Sequence, residues 1–156
     1  MTTPHDRSPD ARGRAAAHRG RELALQMLYQ WEMGRTDVET MARTFRDITT
    51  AGPEPDEDAR EFGESLARGT AAHLAVIDPI LAGRAEHWRL SRMAVLDRLI
   101  LRLASYELLH LETPPAVVIN EALELAKTFS TDESAKFING VLDAVRRQIE
   151  ADRERA

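Results

Sequence analysis

Glu107 and His110 stand three residues apart, the Glu-x-x-His spacing with which a helix can offer a carboxylate and an imidazole to one metal ion. A di-iron bundle needs two such motifs and two further glutamates on facing helices, and the sequence holds no second Glu-x-x-His. His110 then reads as a residue near a helix C-terminus, where a protonated imidazole suits the dipole. Glu121 and Glu124 are neighbours on a helix surface. Paired carboxylates do acid–base work only in a pocket with unequal environments, and a solvated helix face is the plainer reading. The eight glycines, at 13, 20, 34, 52, 63, 69, 83 and 140, never cluster, so no phosphate-cradling loop is expected. Serine and histidine occur without a nucleophile-elbow pattern. Cysteine is absent, which excludes disulfides and thiolate chemistry and fits a reducing cytoplasm. No catalytic residue, metal or cofactor is expected; the residues argue for binding.

Charge says where. The formal net charge is −5, but Arg7, Arg12, Arg14, Arg19 and Arg21 face only Asp6 and Asp10 in the first 21 residues, a balance of +3 against −8 for the rest. A basic arm on an acidic body suits a polyanion partner, although a solvated tail has the same composition. Hydrophobic residues make up 43% and charged residues 30% of the 156, as in a soluble globular protein. There is no apolar run of about 18 residues for a membrane span and no secretory signal pattern.

The elements that must position these residues are helical, since the apolar period is 3.6 throughout and no stretch alternates with period two. Ala24, Met27, Leu28 and Trp31 share a face, with Gly34 as the stop. Val38, Met41, Phe45 and Ile48 form a second stripe, broken by Gly52-Pro53-Glu54-Pro55. Asp56 is placed to cap a third helix carrying Phe62 and Leu66 and ending near His73, and Leu74, Ile77 and Leu81 form a short fourth ended by Gly83. Ser91 is a candidate N-cap for a fifth helix with Leu96, Leu99, Ile100, Leu103 and Tyr106. Pro115 suits the first turn of a sixth, striped by Val118, Ala122, Leu125 and Ala126. Ser130 and Glu133 have capping-box spacing for a seventh, which carries Phe137, Ile138, Val141, Leu142, Val145 and Ile149 and frays at Arg153-Glu154-Arg155. The expected fold class is all-α: about seven helices in two packed bundles, about 14–85 and 86–150, behind a disordered basic arm at 1–13.

Three stretches resemble the NusB family: Arg21-Glu22-Leu23-Ala24-Leu25-Gln26-Met27-Leu28-Tyr29-Gln30-Trp31, Ile119-Asn120-Glu121-Ala122-Leu123-Glu124-Leu125-Ala126-Lys127, and Lys136-Phe137-Ile138-Asn139-Gly140-Val141-Leu142-Asp143. With the helix from Leu96 to Leu109 they keep the family's order and spacing over roughly residues 14 to 145. The resemblance implies two helical bundles and a transcription antitermination factor. Its expected partners are single-stranded boxA RNA of nascent ribosomal RNA transcripts, NusE (a small-subunit ribosomal protein), other Nus factors and RNA polymerase. A homodimer that covers the NusE surface is a form some relatives take. Two other readings stand beside it. One is a module like that at the front of certain ribosomal RNA methyltransferases, which would require a following cofactor domain. The other is a structural helical protein with an incidental basic tail.

The same resemblance implies the site residues. Arg14, Arg19 and Arg21 are expected on phosphates or bases, with Arg12 as an outlying substitute, and His18 is expected to stack or donate. This stretch reads Arg14-Ala15-Ala16-Ala17-His18-Arg19-Gly20-Arg21, less dense in arginine than many relatives. Tyr29 is either RNA-facing or half-buried between Leu28 and Trp31. Phe137 and Ile138 lie about 100° apart and cannot both point inward, so Phe137 is expected partly exposed near RNA and NusE. Asp97 and Glu133 match acidic family positions near the partner, where a carboxylate would restrain RNA binding until NusE arrives; Glu133 reads equally as a capping residue.

Overall fold

A computed structural model of the protein describes residues 9–34, 37–46, 54–84 and 92–156. Within the first helix, side chains are described from residue 13 onward. Among the described residues there are seven helices and no strand: α1 (Pro9–Gly34), α2 (Val38–Arg46), α3 (Glu57–Ala72), α4 (Leu74–Arg84), α5 (Val95–His110), α6 (Pro115–Phe129) and α7 (Asp132–Arg155). The all-α expectation and the helix count hold.

The starts and stops show which local signals won. Asp56 caps α3 as its position requires, its Oδ1 accepting from the Ala59 amide at 2.9 Å. Asp37 does the same for α2, accepting from the Thr40 amide at 2.8 Å and the Thr40 hydroxyl at 2.9 Å, and these bonds hold its carboxyl below the usual range. Pro115 opens α6. Two caps fall elsewhere than the spacing predicts. Helix α5 begins after Ala94 with no side-chain cap, downstream of a Ser91 start; Ser91 itself lies outside the described residues, as do Ile48 and Gly52-Pro53. The N-cap of α7 is Thr131, which accepts from the Ser134 amide at 2.9 Å, so the capping register is one residue later than a Ser130–Glu133 box. Ser130 closes α6 instead. At the other end α7 stays helical through Arg155, where the sequence suggests fraying, because the Arg153 guanidinium donates to the Leu108 and Leu109 carbonyls at 3.2 Å each. Helix α1 likewise starts at Pro9, so residues 9–13 are helical where a disordered arm is expected.

The chain divides into two compact units after Ala67, inside α3, and not near residue 85. The reason is packing: α4 lies against α5 and α7 and therefore groups with the second half. In the first unit α1 packs on α2, and Leu23, Ala24, Leu25, Met27 and Leu28 are all at most 2% exposed. That burial is wider than the single stripe of Ala24, Met27, Leu28 and Trp31, and Trp31 sits only partly covered. A helix apolar on most faces is a central helix. Helix α5 plays that part in the second unit, touching α4, α6 and α7, with Leu99, Ile100 and Leu101 fully buried. Each such side chain contributes about 1.5–3 kcal/mol from burial. A two-pronged ion pair links α5 to α4: Arg102 Nε and Nη2 donate to the two oxygens of Asp78, both at 2.9 Å.

The approach of α1 to α3 depends on missing side chains. A Cβ on Gly63 would stand 2.8 Å from the Gly20 carbonyl oxygen, and one on Gly20 would stand 2.8 Å from Phe62 Cδ2 and 3.1 Å from the Ala59 carbonyl oxygen. Backbone atoms cannot swing aside. Gly140, within α7, faces open space. We therefore expect Gly63→Ala to destabilise by about 1–3 kcal/mol through overpacking. Gly140→Ala should stabilise by about 0.5–1 kcal/mol through helix propensity. Thermal melts followed by circular dichroism will separate the two, and equal shifts of the same sign would refute the close-approach argument.

Candidate nucleic-acid and partner interface

Helix α1 carries most of the expected cationic residues, and it sorts them in an unexpected way. Arg14 is exposed, and the His18 side chain is 43% exposed. Arg19 and Arg21 are only 8% and 5% exposed. This corrects the expectation that both reach out to phosphates. Arg19 Nη1 donates to Glu22 Oε1 at 3.1 Å, and the Arg21 guanidinium lies 5.4 Å from the centroid of the Phe62 ring, a cation–π distance. Both guanidiniums therefore serve the packing around the α1–α3 approach. Glu22 also stands 3.6 Å from His18 Nε2. The side chain of Arg12 lies outside the described ones.

Tyr29 is 42% exposed and its neighbour one turn on, Met33, 51%. At about 100° per residue, Arg14, His18, Tyr29 and Met33 fall within one arc of roughly 100° on α1. At that exposure Tyr29 is half-buried and still presents part of its ring to solvent. Buried Leu25 lies in the same arc between His18 and Tyr29, so the exposed groups form two patches: Arg14 with His18, a cation and an imidazole, and Tyr29 with Met33. A phosphate contact and flat surfaces are the two things a single strand can use.

The second unit gathers the other three expected residues around one cavity of about 300 Å³ between the starts of α5 and α7, lined by Asp97, Glu133 and Phe137 together with Arg92, Met93 and Ser134. Phe137 is partly exposed while Ile138 is fully buried, and Phe137 is the one of the two that the family resemblance singles out for the surface. Glu133 is exposed in the first turn of α7, where its charge suits the helix dipole, and the capping bond belongs to Thr131 and Ser134. Asp97 is 9% exposed. Its two oxygens accept from Ser130 Oγ at 3.0 Å and Ser134 Oγ at 2.9 Å. Its position in the first turn of α5 adds the attraction of that helix's N-terminal amides. Asp97 is thus a fixed floor of the cavity and Glu133 an exposed charge at its rim. Sequence reasoning missed Arg92 and the two serines. The available signal was that Ser134 sits one turn before Phe137, so whatever Ser134 holds must lie beside that ring.

The Glu-x-x-His pair does not converge. Glu107 is 1% exposed, whereas His110 turns to the surface and meets two rings, His73 at 4.3 Å and Tyr106 at 5.1 Å between centroids. Burial lowers the His110 pKa, and the nearby His73 lowers it further. A helix C-terminus favours the protonated ring; desolvation and the second imidazole outweigh it here.

Among the described residues every element is a helix, and the candidate residues lie on α1 and around a carboxylate-floored cavity. The NusB family model matches residues 18–147. A protein of Solibacter usitatus called transcription antitermination protein NusB is 46% identical over 135 residues, covering 86% of this chain and 91% of the relative. Its namesake from Koribacter versatilis is 43% identical over 142 residues, covering 88% and 92%. Among solved structures, T. maritima NusB superposes with a TM-score of 0.74 at 33% identity, covering 95% of this chain and 94% of that one. A chain from a structure of antitermination factors NusB and NusE in complex with dsRNA superposes with a TM-score of 0.73 at 25% identity, covering 86% and 98%. The chain belongs to the NusB family, a family of factors without enzymatic activity.

The His110 environment sets a pH dependence. Its folded pKa lies below the ordinary value of about 6.5, so the unfolded chain binds this proton more readily than the folded one. The histidine thus leaves stability intact above about pH 6.5 and erodes it as pH falls through that value. We expect the melting temperature to drop on acidification below about pH 6.5 and His110→Gln to remove part of that drop. An identical pH profile in the variant would show that the ring cluster does not act this way.

Proposed function

We propose that this protein is an RNA-binding transcription antitermination factor. In this reading it holds single-stranded boxA RNA of nascent ribosomal RNA transcripts as a heterodimer with NusE. Family membership supports the general role, and the observation that supports RNA and NusE as partners is the likeness to a chain from a structure of NusB and NusE in complex with dsRNA; boxA and the single strand come from the family resemblance. The RNA contacts are Arg12, Arg14, His18 and Tyr29 on α1 and Phe137 on α7. NusE takes the cavity lined by Asp97, Glu133 and Phe137, where two carboxylates beside an exposed aromatic ring suit a partner with a basic and an apolar contact. Arg19 and Arg21 shape α1 without themselves meeting phosphate. With its net negative body the protein alone binds RNA weakly, and NusE raises the affinity by linkage, so RNA tightens NusE by the same factor. The complex then joins other Nus factors on RNA polymerase. Its place is the cytoplasm, where nascent RNA and ribosomal proteins meet in a bacterium; among the described residues no helix is long and apolar enough to cross a membrane.

Two variants test the division of labour. Arg14→Ala should weaken boxA RNA binding and make the log–log salt slope shallower by about 0.7, one phosphate contact on a single strand. Phe137→Asp should cut NusE affinity while leaving helicity intact. Filter binding across salt concentrations reads the first, and titration of NusE with and without boxA RNA reads the second. Unchanged slope in the one or unchanged NusE affinity in the other would remove that residue from the interface, and scrambled RNA bound as well as boxA would end the sequence-specific reading.

A further inference from the structure

Three aromatic rings that the antitermination reading does not use meet where α3 turns into α4 and α5 ends. His73 occupies the turn, its carbonyl accepting the first amides of α4 from Val76 and Ile77 at 3.0 Å each. Its Nδ1 lies 2.7 Å from the Gly69 carbonyl oxygen. A carbonyl only accepts, so Nδ1 carries the proton and Nε2 keeps the lone pair. The His110 ring is 4.3 Å away between centroids, tilted by 45°. Tyr106 lies against both, at 5.5 Å from His73 and 5.1 Å from His110, and its ring presses on Gly69, where a Cβ would collide with the phenol. Gly69 thus has two tasks here, admitting Tyr106 and fixing the His73 tautomer.

From this juxtaposition we propose that His73 and His110 form a two-imidazole site for a divalent transition-metal ion of the copper, nickel or zinc type. Imidazole nitrogen suits these ions, which it binds at about 2.0–2.1 Å in the case of zinc, and rings this close can each bring a nitrogen to one centre. The carbonyl behind His73 is the outer partner that ligating histidines ordinarily have: it sets the tautomer and the ring orientation. Burial, and then the nearby His73, lower the His110 pKa, which favours its neutral, ligand-ready form. Among the described residues no group of three histidine, cysteine, aspartate or glutamate side chains converges, so the remaining positions fall to water and the site is open and exchangeable, unlike a structural zinc centre. A bound ion ties the α3–α4 turn to the end of α5, both in the second unit.

The test uses untagged, full-length protein carrying His5→Gln, which removes the histidine beside the amino terminus, titrated with Cu²⁺ at neutral pH. Electron paramagnetic resonance reads the number of coordinated nitrogens and calorimetry the affinity. One equivalent should bind with a two-nitrogen signature. His110→Gln, a surface change whose folding circular dichroism verifies, should weaken binding about tenfold or more, since loss of even an outer partner of a ligand costs that much. His73→Gln should do the same, and His18→Gln should change nothing. Ni²⁺ and Zn²⁺ should bind the same pair more weakly than Cu²⁺. Equal Cu²⁺ affinity in parent and folded His110→Gln protein, or a one-nitrogen signal in the parent, overturns the site.

Discussion

A single nearly buried carboxylate, Asp97, connects the beginnings of two helices that carry most of the second unit's core. Left without donors, it would cost several kcal/mol in that position. It is supplied by two hydroxyls, Ser130 at the end of α6 and Ser134 in the first turn of α7, and by the field of the α5 N-terminus. The bonds run in both directions: the serines hold the aspartate, and the aspartate fixes where α7 begins. Thr131 reinforces that start by capping the Ser134 amide. With the first turn of α7 fixed, Phe137 and Ile138 have no choice of direction. Ile138 enters the core and Phe137 faces the cavity. The exposure of one aromatic ring thus follows from a hydrogen-bond network on the other side of the same turn.

The first unit solves a different problem. Helix α1 has to be a core helix from Leu23 to Leu28 and a surface helix along Arg14, His18 and Tyr29. Glycine at 20 and 63 lets α3 come close enough to bury its inner faces. That closeness explains Arg19 and Arg21. A guanidinium is weakly hydrated and planar, so it tolerates burial when a carboxylate or an aromatic face receives it, and Glu22 and Phe62 do so here. Lysine at either position would be a poor substitute, since an ammonium is more strongly hydrated and cannot stack.

Helices and their apolar faces were legible in the sequence because a 3.6 period needs no knowledge of partners. Phe137 was legible only in part, since helix geometry separates its direction from that of Ile138 by about 100° and the family resemblance chose which of the two faces outward. The family resemblance supplied Tyr29, whose ring is part covered and part exposed. The failures share a cause. Ser130 against Thr131 as the cap, Arg21 as a surface cation, and His110 as a protonated C-terminal residue all depend on a group distant in sequence: Asp97, Phe62 and His73. A basic cluster read along the chain counts charge, and charge does not say which guanidinium faces water. The boundary between units was hidden for the same reason, since nothing before residue 74 announces that α4 will pack on α5 and α7.

Burial of two arginines also changes the electrostatic argument for RNA. The arm's balance of +3 counted five arginines, but a guanidinium beside a carboxylate contributes little field to solvent, and Arg19 is so placed. Arg14 is the arginine of α1 whose exposure is established, and His18 shares Glu22 with Arg19. In the proposed reading the described part of this surface, with few exposed cations, gains modestly from counterion release, which scales with the phosphates neutralised; the side chains of Arg7 and Arg12 lie outside the described ones. What it can do is orient a strand: one guanidinium for a phosphate, and flat rings at His18 and Tyr29 for bases. In that reading stacking and shape add to charge in the recognition, and a partner that brings cations of its own adds affinity. An acid-lined cavity with an exposed phenylalanine is the kind of surface such a partner would occupy.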